Sequence, residues 1–229
     1  MTQGTLTREW DIYLTQLRED AHLLLAWGHA DARSKLPTAR DEYDLTGFLS
    51  DAMDRRIDNP LTPERFSRYS VHNERPISPK NESGKDRLRL DIQIELCGVR
   101  PKRCYTFEVK RLRDDAKASS SDSLAHYLGD NGVGRFVAGK YDRESGEAAM
   151  LGCIQARTPE FWLELIARAF EDDTGSGQGR FNIVEGFQRC SIISELSDEA
   201  STIHRRANGS TIRLLHVFVG CNTVTNESG

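Results

Sequence analysis

No apolar run approaches the roughly 18 residues that a membrane-spanning helix needs. The opening MTQGTLTREWDIYL has no basic segment followed by an apolar one, so it does not read as a secretory signal. The expectation is a cytoplasmic protein with no membrane partner. Cysteine is scarce and odd in number, five residues at positions 97, 104, 153, 190 and 221. None has the close spacing of a zinc knuckle, and a disulfide framework is not indicated, so reduced thiols are expected. Six histidines (22, 29, 72, 126, 204, 216) also lack zinc-ligand spacing. His216, inside an apolar run, reads as a core residue. No Gly-x-Ser-x-Gly is present, which argues against acyl transfer. GDNGVG (129–134) and GSGQGR (175–180) are glycine-rich, but neither continues into the Gly-Lys-Ser/Thr of a phosphate-binding loop. Net charge is −4, so the chain as a whole is not a polycation.

What is present fits a soluble globular protein. The 229 residues, 38% hydrophobic and 29% charged, suffice for one large domain or for one domain with an appendage. We divide the chain into an N-terminal helical segment, 1–40, packed on the core, and a domain, 41–229. Leu6, Trp10, Tyr13, Leu14, Leu17, Ala21, Leu24 and Leu25 recur at helical spacing and predict a helix over 6–27, with Gly28 as its stop. Packing on the core is the preferred use of that stripe; self-association is the other. Leu45, Phe48, Leu49, Ala52 and Met53 predict a second helix over 41–57, ended by Asn59-Pro60. A short strand near 68–73 and a turn-rich loop at 79–86 follow.

Further on, a short helix is expected at 122–129, a bent helix or loop at 132–141 and a buried strand at 148–156. Thr158-Pro159 opens a strong helix, with Thr158 as cap and Pro159 in the first turn. Strands are expected at 181–193 and 212–220. The order of elements implies an α/β (α+β) fold: a mixed central sheet flanked by helices.

LRLDIQIELCGVRPKRCYTFEVKRL, residues 88–112, carries the chemistry. It alternates apolar and polar residues, as a hairpin with one buried face does. A turn centred between Val99 and Arg100 makes facing residues sum to 199. Ile92 then faces Phe107, Ile94 faces Tyr105, Leu90 faces Val109, and Asp91 faces Glu108. Facing side chains have Cβ atoms about 4.5–5.5 Å apart, where two carboxylates repel unless a cation lies between them. Lys110 shares the face of Glu108 because residues two apart on a strand point the same way. Arg89 would face Lys110, and two cations favour a phosphate guest. Residues 85–117 hold ten Lys/Arg against six acids, a basic patch in an acidic protein. The alternative is a half-exposed hairpin with a solvated polar face. A second acid-x-Lys triplet, Asp115-Ala116-Lys117, has no alternating strand around it.

The acid on one strand and the acid-x-Lys on the next resemble the PD-(D/E)xK nuclease superfamily, whose fold is restriction-endonuclease-like. Asp91, Glu108 and Lys110 match its three positions; Leu90 stands where the proline is usually written. The likeness is good over about 41–156 and looser elsewhere. HYLGDNGVGRFVAGKY, AAMLGCI, TIHRR and IRLLHVFV also resemble defence-associated members. The resemblance implies an Mg²⁺-dependent (or Mn²⁺-dependent) hydrolysis of phosphodiesters, with DNA the expected substrate, in phage defence or restriction. It implies Asp91, Glu108 and the Val109 carbonyl as metal ligands and Lys110 beside the attacking water. Glu42, at the start of the second helix, is either a further ligand or an ordinary first-turn acid. Candidate nucleic-acid contacts are Arg89, Arg111, Arg113, Tyr127, Arg135, Lys140, His204 and Arg206; for each of the last five the alternative is an ordinary structural or surface residue. A homodimer and a partner protein of a defence system fit the same resemblance. The alternative is a non-catalytic nucleic-acid-binding or protein-binding subunit with the same fold.

Overall fold

The computed structural model describes residues 3–76, 89–141, 145–177 and 179–222, with side chains from residue 13 onward and without those of residues 75 and 76. The side chains of Leu6 and Trp10, the loop at 79–86 and the cations Lys85 and Arg87 therefore lie outside what is described.

Helix α1 (Gln3–Ala32) and helix α2 (Glu42–Ile57) precede strand β1 (Tyr69–Pro76), strand β2 (Arg89–Leu96) and strand β3 (Arg103–Leu112). Helices α3 (Ser120–Leu128) and α4 (Val133–Val137) lead to strand β4 (Glu147–Ile154) and helix α5 (Pro159–Gly175). Strands β5 (Ile183–Cys190), β6 (Glu199–Arg205) and β7 (Thr211–Gly220) complete the described chain. The seven strands form one mixed sheet in the order β1-β2-β3-β4-β7-β6-β5. Strands β3, β4 and β7 run parallel, and the pairs on either side are antiparallel.

The central strands are buried on both faces, which is what a parallel sheet covered by helices requires. One core holds Leu24, Leu25, Leu45 and Leu49 of α1 and α2 against Ile92, Ile94, Phe107, Val109, Leu151 and Val217. The other holds Tyr127, Phe136, Trp162, Ile166 and Phe170 of α3 to α5 against Leu112, Met150, Leu214 and Phe218. Adjacent strand residues thus go to opposite cores. Gly152 is needed on the second side, where a Cβ would come within 2.6 Å of Leu112 and 2.7 Å of Phe218.

Two readings of the sequence are corrected here. Gly28 does not stop α1, which continues to Ala32. A Cβ on Gly28 would lie 2.5 Å from Met53 Cγ and 3.2 Å from the Met53 nitrogen, so the glycine is where α1 and α2 touch. Strand β6 was not expected at all. Its inward residues include Glu199, Thr202 and His204, all buried, so an apolar periodicity cannot reveal it. Helix α1 shares its core with β2 and β3 through Leu17, Ala21, Leu24 and Leu25. His22 pins it there, with Nδ1 2.7 Å from Glu199 and Nε2 3.0 Å from the Tyr105 hydroxyl. Further toward its N-terminus the stripe opens to solvent, with Tyr13 58% and Leu14 47% exposed.

Candidate active site

Strands β2 and β3 pair in the expected register, from Ile92 with Phe107 to Leu96 with Arg103. Past Ile92 the regular ladder gives way to a side-chain bond. The Val109 N–H donates to Asp91 Oδ2 at 2.8 Å, so the carboxylate of one strand grips the backbone of the other. The facing of Leu90 with Val109 does not occur; Leu90 packs in the α3–α5 core while Val109 packs in the α1–α2 core. On the far side of β2, Glu74 of β1 takes φ 52, a left-handed conformation rare for a residue with a side chain. It sits between the β1 residues that pair with Ile92 and Leu90, beside Asp91.

Four chemistry-bearing side chains converge here. Lys110 Nζ donates to Glu108 Oε1 at 2.9 Å, to the Val109 carbonyl at 2.8 Å and to Glu42 Oε2 at 3.3 Å. Glu42 arrives from the first turn of α2 and its other oxygen accepts from the Arg111 N–H at 3.3 Å. Arg135 of α4 lies 3.5 Å from Glu108 Oε1 and is also held by Tyr141 and Asn131. Glu108 and Lys110 are 1% and 4% exposed, whereas the Glu42 side chain is 41% exposed. The cluster therefore meets solvent on its Glu42 side. A cleft of about 300 Å³ lined by Arg111, Arg113 and Gln155 lies close by, at the carboxyl ends of the parallel strands, where α/β proteins commonly bind ligands.

The electrostatics are unbalanced. Burial, followed by the Asp91 charge, pushes the Glu108 carboxyl up to about 8. Burial raises Asp91 to about 6, and Lys110 and the Val109 N–H offset only part of that rise. Burial alone would lower Lys110, yet Glu108, Glu42 and Asp91 outweigh it and raise its pKa. Glu108 Oε2 is buried and has no hydrogen-bond partner among the described residues. Carboxylates crowded out of water with an idle oxygen form a site short of positive charge. Among the described residues, no group of three or more His, Cys, Asp or Glu forms a ready metal cage. Mg²⁺ does not require one, since it usually takes one or two carboxylates with water and phosphate oxygens making up the rest.

The other sequence candidates divide in two. Tyr127, His204 and Arg206 do not reach a nucleic-acid surface. Tyr127 is fully buried with its hydroxyl 3.0 Å from His216 Nδ1. His204 is fully buried between Thr202 and the Phe181 carbonyl. Arg206, 3% exposed, donates to the Phe136 and Ser145 carbonyls. All three hold the fold together, because a polar group buried here must be bonded internally. Arg89, 48% exposed, lies 3.5 Å from Glu74, and Lys140 is exposed. Arg111 donates twice to Gln155 Oε1, at 2.9 and 2.8 Å, and to the Arg40 carbonyl. Arg113 is paired with Asp115 at 2.6 Å. The roles of Tyr141 and Glu74 at the cluster had no signal in the sequence, since neither lies in the hairpin or in an acid-x-Lys pattern. Comparison with protein-family models, with curated proteins and with solved structures returned no match.

Proposed function

We propose that this chain is a metal-dependent nuclease of the PD-(D/E)xK type, with a restriction-endonuclease-like fold, that hydrolyses phosphodiester bonds, DNA being the expected substrate. The observation that carries this reading is the meeting of Glu42 with Lys110. An acid on the helix ahead of the hairpin, 68 residues away in sequence, comes within 3.3 Å of the same ammonium that Glu108 contacts.

The donor set suits a hard divalent cation. Asp91, Glu108 and the Val109 carbonyl would hold Mg²⁺ or Mn²⁺, with Glu42 in support; the idle Glu108 oxygen and the raised carboxyls favour such an occupant. Bound there, the ion supplies charge to the scissile phosphate and acidifies a water. Lys110 carries a proton beside Glu108 and steadies developing negative charge. Asp91, anchored on the Val109 N–H, keeps that carbonyl and Lys110 in a fixed relation. Arg135, beside Glu108, is available to a phosphate oxygen. A homodimer would give two such sites to one duplex, and a role in restriction or phage defence beside a partner protein belongs to the same reading.

A second reading has an observation of its own. Glu108 and Lys110 are nearly sealed from solvent, as befits a non-catalytic binding subunit whose charge network only shapes the fold. Incubation with plasmid, linear and single-stranded DNA and with RNA, in Mg²⁺, Mn²⁺ or EDTA, separates the two. The nuclease reading expects metal-dependent cleavage that Asp91→Ala and Lys110→Ala abolish while binding persists. Binding without cleavage of any substrate in either metal establishes the second reading instead.

A further inference from the structure

The carboxyl ends of β3, β4 and β7 carry more than the acid–lysine cluster. Arg111 lies near the end of β3, Gln155 directly after β4, and Cys221 and Asn222 directly after β7. All four line the cleft of about 300 Å³. Asn222 is also a wall of a further cleft, of about 470 Å³, that it forms with His29, Ala30, Arg33 and Gly220. His29 ties the end of α1 to this end of the sheet, its Nε2 donating to the Gly220 carbonyl at 2.7 Å. The two clefts thus continue one another across the strand ends, the side on which α/β sheets bind ligands. The Arg111 N–H, bonded to Glu42 Oε1 at 3.3 Å, joins this line to the acid–lysine cluster.

Charge along this line does not cancel. A guanidinium has about five N–H groups to donate. Arg111 uses Nε and Nη2 on Gln155 Oε1 and Nη1 on the Arg40 carbonyl. Both acceptors are neutral, so they orient the side chain without neutralising it, and its remaining N–H groups have no partner among the described residues. Arg33 is exposed and makes no ion pair among the described residues. The acids around them are held by other cations. Asp31 lies 2.9 Å from Arg56, Asp44 2.9 Å from Arg40, Asp115 2.6 Å from Arg113 and Glu42 3.3 Å from Lys110. Arg111 and Arg33 are left over, at the two ends of the line. From β3 to β7 is two strand spacings, roughly 10 Å, and one DNA strand carries a phosphate about every 3.4 Å of duplex axis. The line therefore spans about three phosphates.

We infer that one strand of the nucleic-acid substrate leaves the acid–lysine cluster along this line, its phosphates passing over Arg111 and then Arg33. The inference rests on the nuclease reading and adds the direction in which the bound strand runs. Arg111, held in place by Gln155, is a positioning residue with a fork that suits a phosphate. Arg33, more exposed, acts as a point of charge farther from the reaction.

The test measures binding of a fluorescent DNA oligonucleotide to the full chain by anisotropy over a range of salt, in EDTA and again in Ca²⁺. Arg111→Gln should weaken binding on the order of tenfold and Arg33→Gln several-fold, each lowering the salt slope by about one unit. Arg111→Lys keeps the charge without the fork and should lose affinity with the slope retained. Arg168→Gln, on α5 with its side chain 72% exposed, should change neither. Arg33 is exposed, so its variant decides the matter even where an Arg111 variant fails to fold. Cleavage in Mg²⁺ is scored separately. No binding by the parent in either condition overturns the inference, and so does a parental affinity and slope in Arg33→Gln. If the parent cleaves and these variants bind as it does, the nuclease reading stands and this path falls. If the parent never cleaves yet both variants lose affinity, the path stands and the nuclease reading falls.

Discussion

Two buried polar networks share the α3–α5 side of the sheet, and they are built on opposite principles. Glu108, Met150 and His216 lie side by side on β3, β4 and β7, so one row of the sheet joins them. Around His216 everything is satisfied. The Phe181 carbonyl can only accept, so His204 Nδ1 donates to it at 2.8 Å. Neutral His204 Nε2 then accepts from the Thr202 hydroxyl at 2.6 Å, and Thr202 accepts from His216 Nε2 at 2.9 Å. His216 Nδ1 is left to accept from Tyr127 at 3.0 Å. One carbonyl thus fixes both tautomers and every direction in the series. Around Glu108, by contrast, Glu108 and Glu42 share Lys110 within the field of Asp91, Arg135 lies 3.5 Å away, and one Glu108 oxygen has no partner among the described residues. The first network spends its polarity on itself and holds the fold; the second keeps an unmet demand for charge. Only the second has something to offer a ligand.

Breaking the satisfied network should have the largest effect on stability. His216→Ala leaves a cavity and strands both Thr202 and Tyr127, and should cost about 3–5 kcal/mol in urea unfolding. A loss under about 1 kcal/mol would mean that the series is not formed.

The two networks should also pull stability in opposite directions with pH. The folded pKa of Glu108, about 8, lies above its ordinary 4.5, and that of Asp91, about 6, above 3.8. The contribution of these acids is therefore complete below about 4 and lost as pH rises toward 8. Burial lowers both histidines from 6.5, His216 to about 3 with His204 adding to the effect. Their contribution is complete above 6.5 and lost as pH falls toward 3. In Glu108→Gln the decline between pH 5 and 8 should shrink by a few kcal/mol, read from chemical denaturation at several pH values. Millimolar Mg²⁺ should flatten the same decline in the parent and not in Glu108→Gln. An unchanged slope in the variant would remove Glu108 from the account.

Smaller effects sharpen the contrast. Tyr127→Phe takes one donor from His216 and keeps the ring, and should cost about 1–2 kcal/mol with nucleic-acid binding unaltered. Lys140→Ala should do the reverse. Its exposed side chain should leave the melting temperature unmoved, while on the proposed nuclease reading the salt dependence of nucleic-acid binding falls by about one unit of slope. Equal salt slopes for variant and parent would take Lys140 out of the interface.

Much of this was legible in the chain. Alternation specifies the hairpin and its register between Ile92 and Phe107, because a slip of one residue would turn every apolar side chain outward; it fails at Leu90, which packs in the other core. Thr158 caps α5, its hydroxyl accepting from the Phe161 N–H at 3.3 Å, as Thr-Pro foretold. His216 is the core residue that its apolar run indicated, and the failures were one histidine and one tyrosine. His204 and Tyr127 look like surface contacts in a sequence, since their polarity is visible there and their hydrogen-bond partners, up to 89 residues away, are not. Arg206 misled in the same way.

Local order needs only neighbours, and the sequence by itself therefore determined the strand pairing of β2 with β3, the caps, and which face of each helix is apolar. It also placed Glu108 and Lys110 on one face of β3, whereas Asp91 is set beside them by its bond to the Val109 N–H and not by the ladder. Tertiary packing decided the rest: that Glu42 joins them, that Gly28 lies between two helices, and that Tyr127 and His204 turn inward. The physical reason is range. Period and register act over a few residues, whereas burial and the pKa shifts that follow it are properties of what packs around a group, and that is settled only when distant segments close over it.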